Sequence, residues 1–306
     1  MIIYETNKNW LSDIRHLFRS WTMTKIMRAV MWIGLYCTAV AVIEIQFVKV
    51  LPNFSSSIFS LLGIVLSILL VFRTNTAYDR WWEGRNHWGA LVNHTRNIAV
   101  MAQITFPTED KNERHRLASL LSNFAIALKE HLRSGVKQEE LIYLNESDKE
   151  KYPTINHLPS HISVQIHHLI EHQYREKKIT GEDVLNFKPH LQALLDITGA
   201  CERIRKTPIP FSYNVYLKIF ITAYAVLLPF SLLSEFGYWS IPAVMFVFFA
   251  FIGVEMMAEE IEDPFGLDCN DLPTGTIAHT IKGNVFEILE HKHNEEKPAE
   301  LYAKVF

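Results

Sequence analysis

The residues with the most chemical potential gather late in the chain. Glu259, Glu260, Glu262 and Asp263 form an acidic run, and Asp268 and Asp271 follow it closely. Carboxylates at that density can hold a hard divalent cation, which admits a membrane-embedded, metal-dependent enzyme as one reading. Against it, no nucleophile with a nearby base stands out, and Asp263-Pro264-Phe265-Gly266 has the make-up of a turn. His161, His167, His168 and His172 form a second group at helical spacings. A metal site is one reading of them, but solvated or stacked histidines on a helix fit better. Cys37, Cys201 and Cys269 lie far apart with no CxxC pair, so neither a disulfide framework nor a thiolate zinc site is expected.

The remaining candidates are apolar. Ile64, Ile68 and Phe72 are four residues apart and stack along one slowly drifting helical face. Ser60, Gly63 and Ser67 put small residues on a flanking face, where neighbouring helices can approach closely. Such a helix packs ordinarily in a membrane. It can also line a pore, because a narrow apolar ring strips water from an ion and gates by dewetting. One ionisable residue, Glu255, falls inside the last apolar segment and should face protein or water, not lipid.

Four apolar stretches must position these groups. They run from Ala29 to Val48, from Phe54 to Phe72, from Ile219 to Leu233 and from Tyr238 to Ala258. The second has 19 residues without a charge, roughly 28 Å of helix, close to the ~30 Å hydrocarbon core. Lys and Arg gather before the first stretch and after the second, whereas the first hairpin carries only Lys49 and the last carries none. That asymmetry puts both termini and the middle region in the cytoplasm. The first residues place Trp10, Ile14, Leu17, Phe18 and Trp21 on one stripe, fitting an interfacial or a packed helix.

The chain of 306 residues is 49% hydrophobic with only 12 Gly and 12 Pro, a composition for long helices. Its mean hydropathy of +0.05 averages the apolar stretches with a polar middle. A net charge of −3 leaves no electrostatic footprint for nucleic acid. In that middle, Leu117, Leu120, Leu121, Phe124 and Leu128 recur at helical spacing. Thr180 and Asp183 mark a helix start as N-cap and capping-box acid. The expected organisation is a terminal segment (1–28), membrane helices 1 and 2 (29–82), a helical cytoplasmic domain (83–210), membrane helices 3 and 4 (211–262) and a cytoplasmic C-terminal region (263–306).

The stretch from Phe72-Arg73-Thr74-Asn75 through Trp81-Trp82-Glu83-Gly84-Arg85 to Trp88-Gly89 resembles the bestrophin family, especially its bacterial branch. Gly199-Ala200-Cys201-Glu202-Arg203-Ile204, Thr207-Pro208-Ile209-Pro210-Phe211, the acidic run through Gly266, and Asn270-Asp271-Leu272-Pro273 agree in the same order. The resemblance implies an all-α fold, four transmembrane helices continuous with a cytosolic body, and a homopentamer around a central pore in the bacterial inner membrane. It implies that Ile64, Ile68 and Phe72 form the apolar neck. It places Glu182 at the family's cytosolic exit, where members commonly carry an apolar residue.

Five such carboxylates would favour cations, and the bacterial branch conducts monovalent cations. Cation passage is therefore the leading expectation, with an anion (chloride) channel of the same fold as the alternative. Equally, Glu182 reads as a solvated acid at a helix N-terminus. Asp268 and Asp271 stand at the aspartate positions of the calcium clasp of animal members, while Cys269-Asn270 departs from their acidic run; no cofactor is required, and calcium is a minor expectation. A tethered cytoplasmic scaffold is a further alternative.

Overall fold

In a computed structural model of the chain, the described residues are 21–47, 55–133, 135, 138–268 and 270–290. The expected N-terminal stripe up to residue 20, and Cys269, lie outside them. Every described element is helical. In order they are α1 (Trp21–Val42, ending in a π turn at Ile43–Phe47), α2 (Ser56–Thr105), α3 (Lys111–Leu132), α4 (Glu146–Lys151) and α5 (Leu158–Arg175). There follow α6 (Gly181–Lys206), α7 (Phe211–Leu227), α8 (Pro229–Phe236), α9 (Ser240–Glu262) and α10 (Thr274–Glu290). Short 3₁₀ turns join several of them.

Among the described residues, three stretches are long and apolar enough to cross a membrane: Trp21–Gln46, Ser56–Thr105 and Phe211–Glu262. The third contains two of the four expected spans. Proline separates α7 from α8, since Pro229 has no N–H to continue the ladder. The chain turns again at Gly237, whose φ of 52° and ψ of −132° suit only glycine.

The described residues group into two compact units. The first draws on Met1–Trp81 and Pro208–Asp271. Its core joins α1, α2, α7 and α9 through Ile26, Val30, Cys37, Leu66, Leu70, Ile221, Val244 and Phe248. Close approach depends on Gly34, where an added Cβ would stand 2.7 Å from the Met245 sulfur.

The second unit draws on Trp82–Thr207 and Leu272–Leu301. Its centre is α3, which α5, α6 and α10 surround. The expected stripe Leu117, Leu120, Leu121, Phe124 and Leu128 is wholly inside. Arg114 closes the end of α2 by donating to the Gln103 side chain at 2.7 Å and the Phe106 carbonyl at 2.8 Å. Those bonds satisfy groups that a helix end otherwise leaves bare.

α2 continues far beyond Phe72 as one helix to Thr105. Its buried positions include Phe59, Leu66, Leu70, Arg73, Ala77, Gly84, Trp88, Leu91, Thr95 and Ile98, with Ala99 and Ala102 joining them near its end. These recur at three, four and seven, a 3.5-residue repeat that keeps one seam inward along most of a helix of 50 residues. The opposite face is correspondingly left outward along its length.

Candidate functional site

The rotation of α2 is fixed by its inward side. Tyr224 of α7 donates its hydroxyl to the Phe59 carbonyl at 3.2 Å and forms an edge contact with the Phe59 ring. The same hydroxyl lies 3.0 Å from where a Cβ on Gly63 would stand, so a larger residue there would push the Tyr224 hydroxyl back by a few tenths of an ångström. Lower down, the Tyr213 hydroxyl donates to the Leu69 carbonyl at 3.2 Å. With Leu66 and Leu70 in the core, Ile64, Ile68 and Phe72 turn outward, at 59%, 51% and 61% exposure.

Ser60 and Ser67 donate to the carbonyls of Ser56 and Gly63, so their hydroxyls add no unsatisfied donor to this apolar row. Past Phe72 the outward residues become mixed: Asn75, Thr76 and Asp79 are exposed, and so are Tyr78 and Trp82. An apolar constriction opening into water has this sequence of surfaces.

Behind the row lies a buried charge cluster. Arg73 Nη2 donates to Glu262 Oε2 at 2.6 Å, and Arg73 Nε stands 3.6 Å from Glu255 Oε2. The side chains of Arg73 and Glu255 are fully buried. Glu262 Oε1 accepts the Ile209 backbone N–H at 2.8 Å, and its own carbonyl accepts from Arg80 Nε at 2.9 Å. One carboxylate thus ties α2 to the end of α9 and to the entry of α7. Glu255 faces protein, as its place in an apolar segment requires.

Glu182 is exposed in the first turn of α6, in the second unit. That helix begins at the capping box read from the sequence. Asp183 N–H donates to Thr180 Oγ1 at 3.1 Å, and Thr180 N–H donates to Asp183 Oδ2 at 2.9 Å. The Glu182 carboxylate therefore sits at the positive end of a helix dipole.

In the acidic loop after α9, Asp271 turns inward and its Oδ2 accepts the Asp268 N–H at 2.5 Å. A Cβ on Gly266 would come within 2.6 Å of the same oxygen. The other Asp271 oxygen is buried without a hydrogen-bond partner. Burial, with Asp268, Asp263 and Glu260 nearby, pushes this carboxyl up to about 7. A buried oxygen lacking a donor suits a hard cation, and Asn270 is held beside Glu260 by a 2.7 Å bond.

A family model described as bacterial/fungal bestrophin protein matches residues 1–287. The chain belongs to the bestrophin family. A relative from Nostoc sp., named a voltage-dependent anion channel-forming protein, is 38% identical over 230 residues, covering 74% of this chain and 75% of its own. One of the same name in Escherichia coli is 28% identical over 301 residues, covering 98% and 97%. The crystal structure of a bacterial bestrophin homolog from Klebsiella pneumoniae superposes with a TM-score of 0.81 at 27% identity, covering 88% of this chain and 100% of that one. This bestrophin is thus an ion channel by family, which sets aside the metal-dependent enzyme alternative.

In this bestrophin, the histidines singled out by their spacing do not converge. His161 meets the Tyr152 ring edge-on, while His167 bonds the Ser163 carbonyl one turn back. The group that does converge is His131, His157 and Glu202, from three separate helices. Burial acts to raise the Glu202 carboxyl, but hydrogen bonds from His131, His157 and Lys206 outweigh it and hold it at about 2. Arg73, the partner of Glu255, was also missed. Its only local signal is its position directly after Phe72, and its partner is far away in the sequence.

Proposed function

We propose that this bestrophin forms a homopentameric pore in the inner membrane, with both termini cytoplasmic. In this reading the outward row of α2 meets at the shared axis, and Ile64, Ile68 and Phe72 make a dewetting neck for small monovalent ions. One observation carries it: an α2 face that Tyr224 and Gly63 hold outward runs from Ile and Phe into Asn75, Thr76 and Asp79. Four membrane helices (29–82 and 211–262) would flank a cytosolic body (83–210), with terminal segments 1–28 and 263–306 on the same side.

Of the two ion preferences, the anion reading is the better supported. Relatives up to 38% identical carry the name of anion channel-forming proteins, and the positive edges of Phe72 rings would attract anions. The cation preference expected from Glu182 has less behind it. It survives as a second reading on one observation, that the carboxylate is exposed at the start of α6 and five copies would make an acidic ring. Calcium fits the oxygens of Asp271 and the adjoining loop with Asp268, where it would brace the end of α9; conduction does not require it in this reading.

Reversal potential in asymmetric sodium chloride, with purified protein in a planar bilayer, tests both. The anion reading expects a shift toward the chloride equilibrium potential, unchanged in Glu182→Gln. A shift toward sodium that Glu182→Gln reduces would give the answer to the second reading. Absence of any conductance would defeat the pore itself.

A further inference from the structure

We propose that His131, His157 and Glu202 form a binding site for a divalent transition-metal ion of the zinc class. The three residues come from the last turn of α3, the N-cap of α5 and the second half of α6. Their ligating atoms all lie within 4.8 Å of one another. Glu202 Oε1 stands 2.6 Å from His131 Nε2 and 2.8 Å from His157 Nε2, and the two rings are 4.5 Å apart between centroids. Two imidazoles and one carboxylate are a donor set that zinc accepts with a water in the fourth position. Metal–ligand bonds of about 2.0–2.2 Å need the two carboxylate–imidazole distances to open by less than ~1 Å.

The surroundings are those of a built site with one open side. Side-chain exposure is 22% for His131 and 19% for Glu202, against 39% for His157, so an ion enters past His157. Arg205 donates to the His131 carbonyl at 2.7 Å, holding that turn of α3 against α6. The second Glu202 oxygen receives Lys206 Nζ at 3.2 Å, a partner that orients a ligating carboxylate. Lys206 itself is 70% exposed and can swing into solvent as the ion arrives.

Ion binding has one specific cost. Without metal, His157 Nδ1 accepts the Ser160 N–H at 3.2 Å and caps α5, which leaves the proton on Nε2 facing Glu202. Ligation through Nε2 requires the proton on Nδ1, where it ends the cap. The site therefore exchanges a helix cap for a coordinate bond, and the ion takes over the task of fixing the start of α5 to α3 and α6.

The test is calorimetric titration of zinc into the tag-free, chelator-stripped full-length protein in detergent, with gel filtration of each variant. One zinc per chain is expected, with binding weakened at least tenfold in His131→Ala and in Glu202→Gln. His157→Asn is the decisive variant, because asparagine also caps a helix well but brings no imidazole. It should weaken zinc at least tenfold while keeping the α5 cap and the gel-filtration profile, and any shift in the metal-free melting midpoint should match that of Glu202→Gln, which loses the same contact. Asp271→Asn should leave zinc uptake intact. No saturable uptake by the wild type, or undiminished uptake in His157→Asn and the double variant of His131 and Glu202, would overturn the proposal.

Discussion

Replacing Arg73 by methionine should be among the most damaging single changes in the membrane unit. The guanidinium is fully buried, 2.6 Å from one carboxylate and 3.6 Å from another that is itself fully buried. Removing it leaves Glu255 and Glu262 in the interior without the guanidinium they share, with Lys218 the remaining cation acting on Glu255. Breaking a buried ion pair from one side costs about 3–5 kcal/mol, because the surviving charge stays desolvated. The cost should fall near the upper end here, since two carboxylates lose the same partner. For a chain of this size that amounts to a fall of roughly 6–10 °C in melting temperature.

The assay is thermal unfolding of the purified protein in one detergent at a fixed scan rate. Adding Glu255→Gln to Arg73→Met should recover a large part of the loss, since the uncompensated buried charge is then gone. Glu262→Gln alone should be milder, because the amide oxygen can still accept the Ile209 N–H. A fall below about 2 °C for Arg73→Met, or no recovery in the double variant, would refute the assignment of charge pairing to this cluster.

Thr180→Ala removes an N-cap whose hydroxyl accepts the Asp183 N–H at 3.1 Å; unfolding of the second unit should show a loss of about 0.5–2 kcal/mol. The Asp271 carboxyl, at about 7 against an ordinary 3.8, binds its proton more tightly folded than unfolded. Its contribution to stability is therefore complete below about pH 4 and lost as pH rises through about 7. Melting temperature followed from pH 4 to 8 should decline over that window, and Asp271→Asn should flatten the slope. Calcium, which needs the ionised form, should bind more tightly as pH rises through the same range, by calorimetry.

Much of this was legible in the sequence because it is local. Apolar runs announced the membrane helices, since a backbone in lipid must satisfy itself within one segment. Thr180 and Asp183 announced the start of α6, since a capping box involves residues three apart. The buried stripe of α3 followed from spacing alone. What could not be read depends on partners far apart in the chain. Arg73 reaches Glu262 across 189 residues, and nothing within ten residues of Glu255 hinted at its counter-ion. The histidines tell the same story: His161, His167, His168 and His172 share one helix without forming a ligand group, whereas His131 and His157 meet only because α3, α5 and α6 pack together. Gly63 was read as a small residue for close packing, but that it faces the Tyr224 hydroxyl needed the fold.

The most direct test is cysteine substitution along α2 in a background with Cys37, Cys201 and Cys269 replaced by serine, followed by a water-soluble thiol reagent during bilayer recording. Modification at positions 64, 68 and 72 should block or sharply reduce the current, and modification at the inward positions 66 and 70 should leave it unchanged. Current that is indifferent to the reagent at 64, 68 and 72 would mean that this face looks into lipid and that ions pass elsewhere.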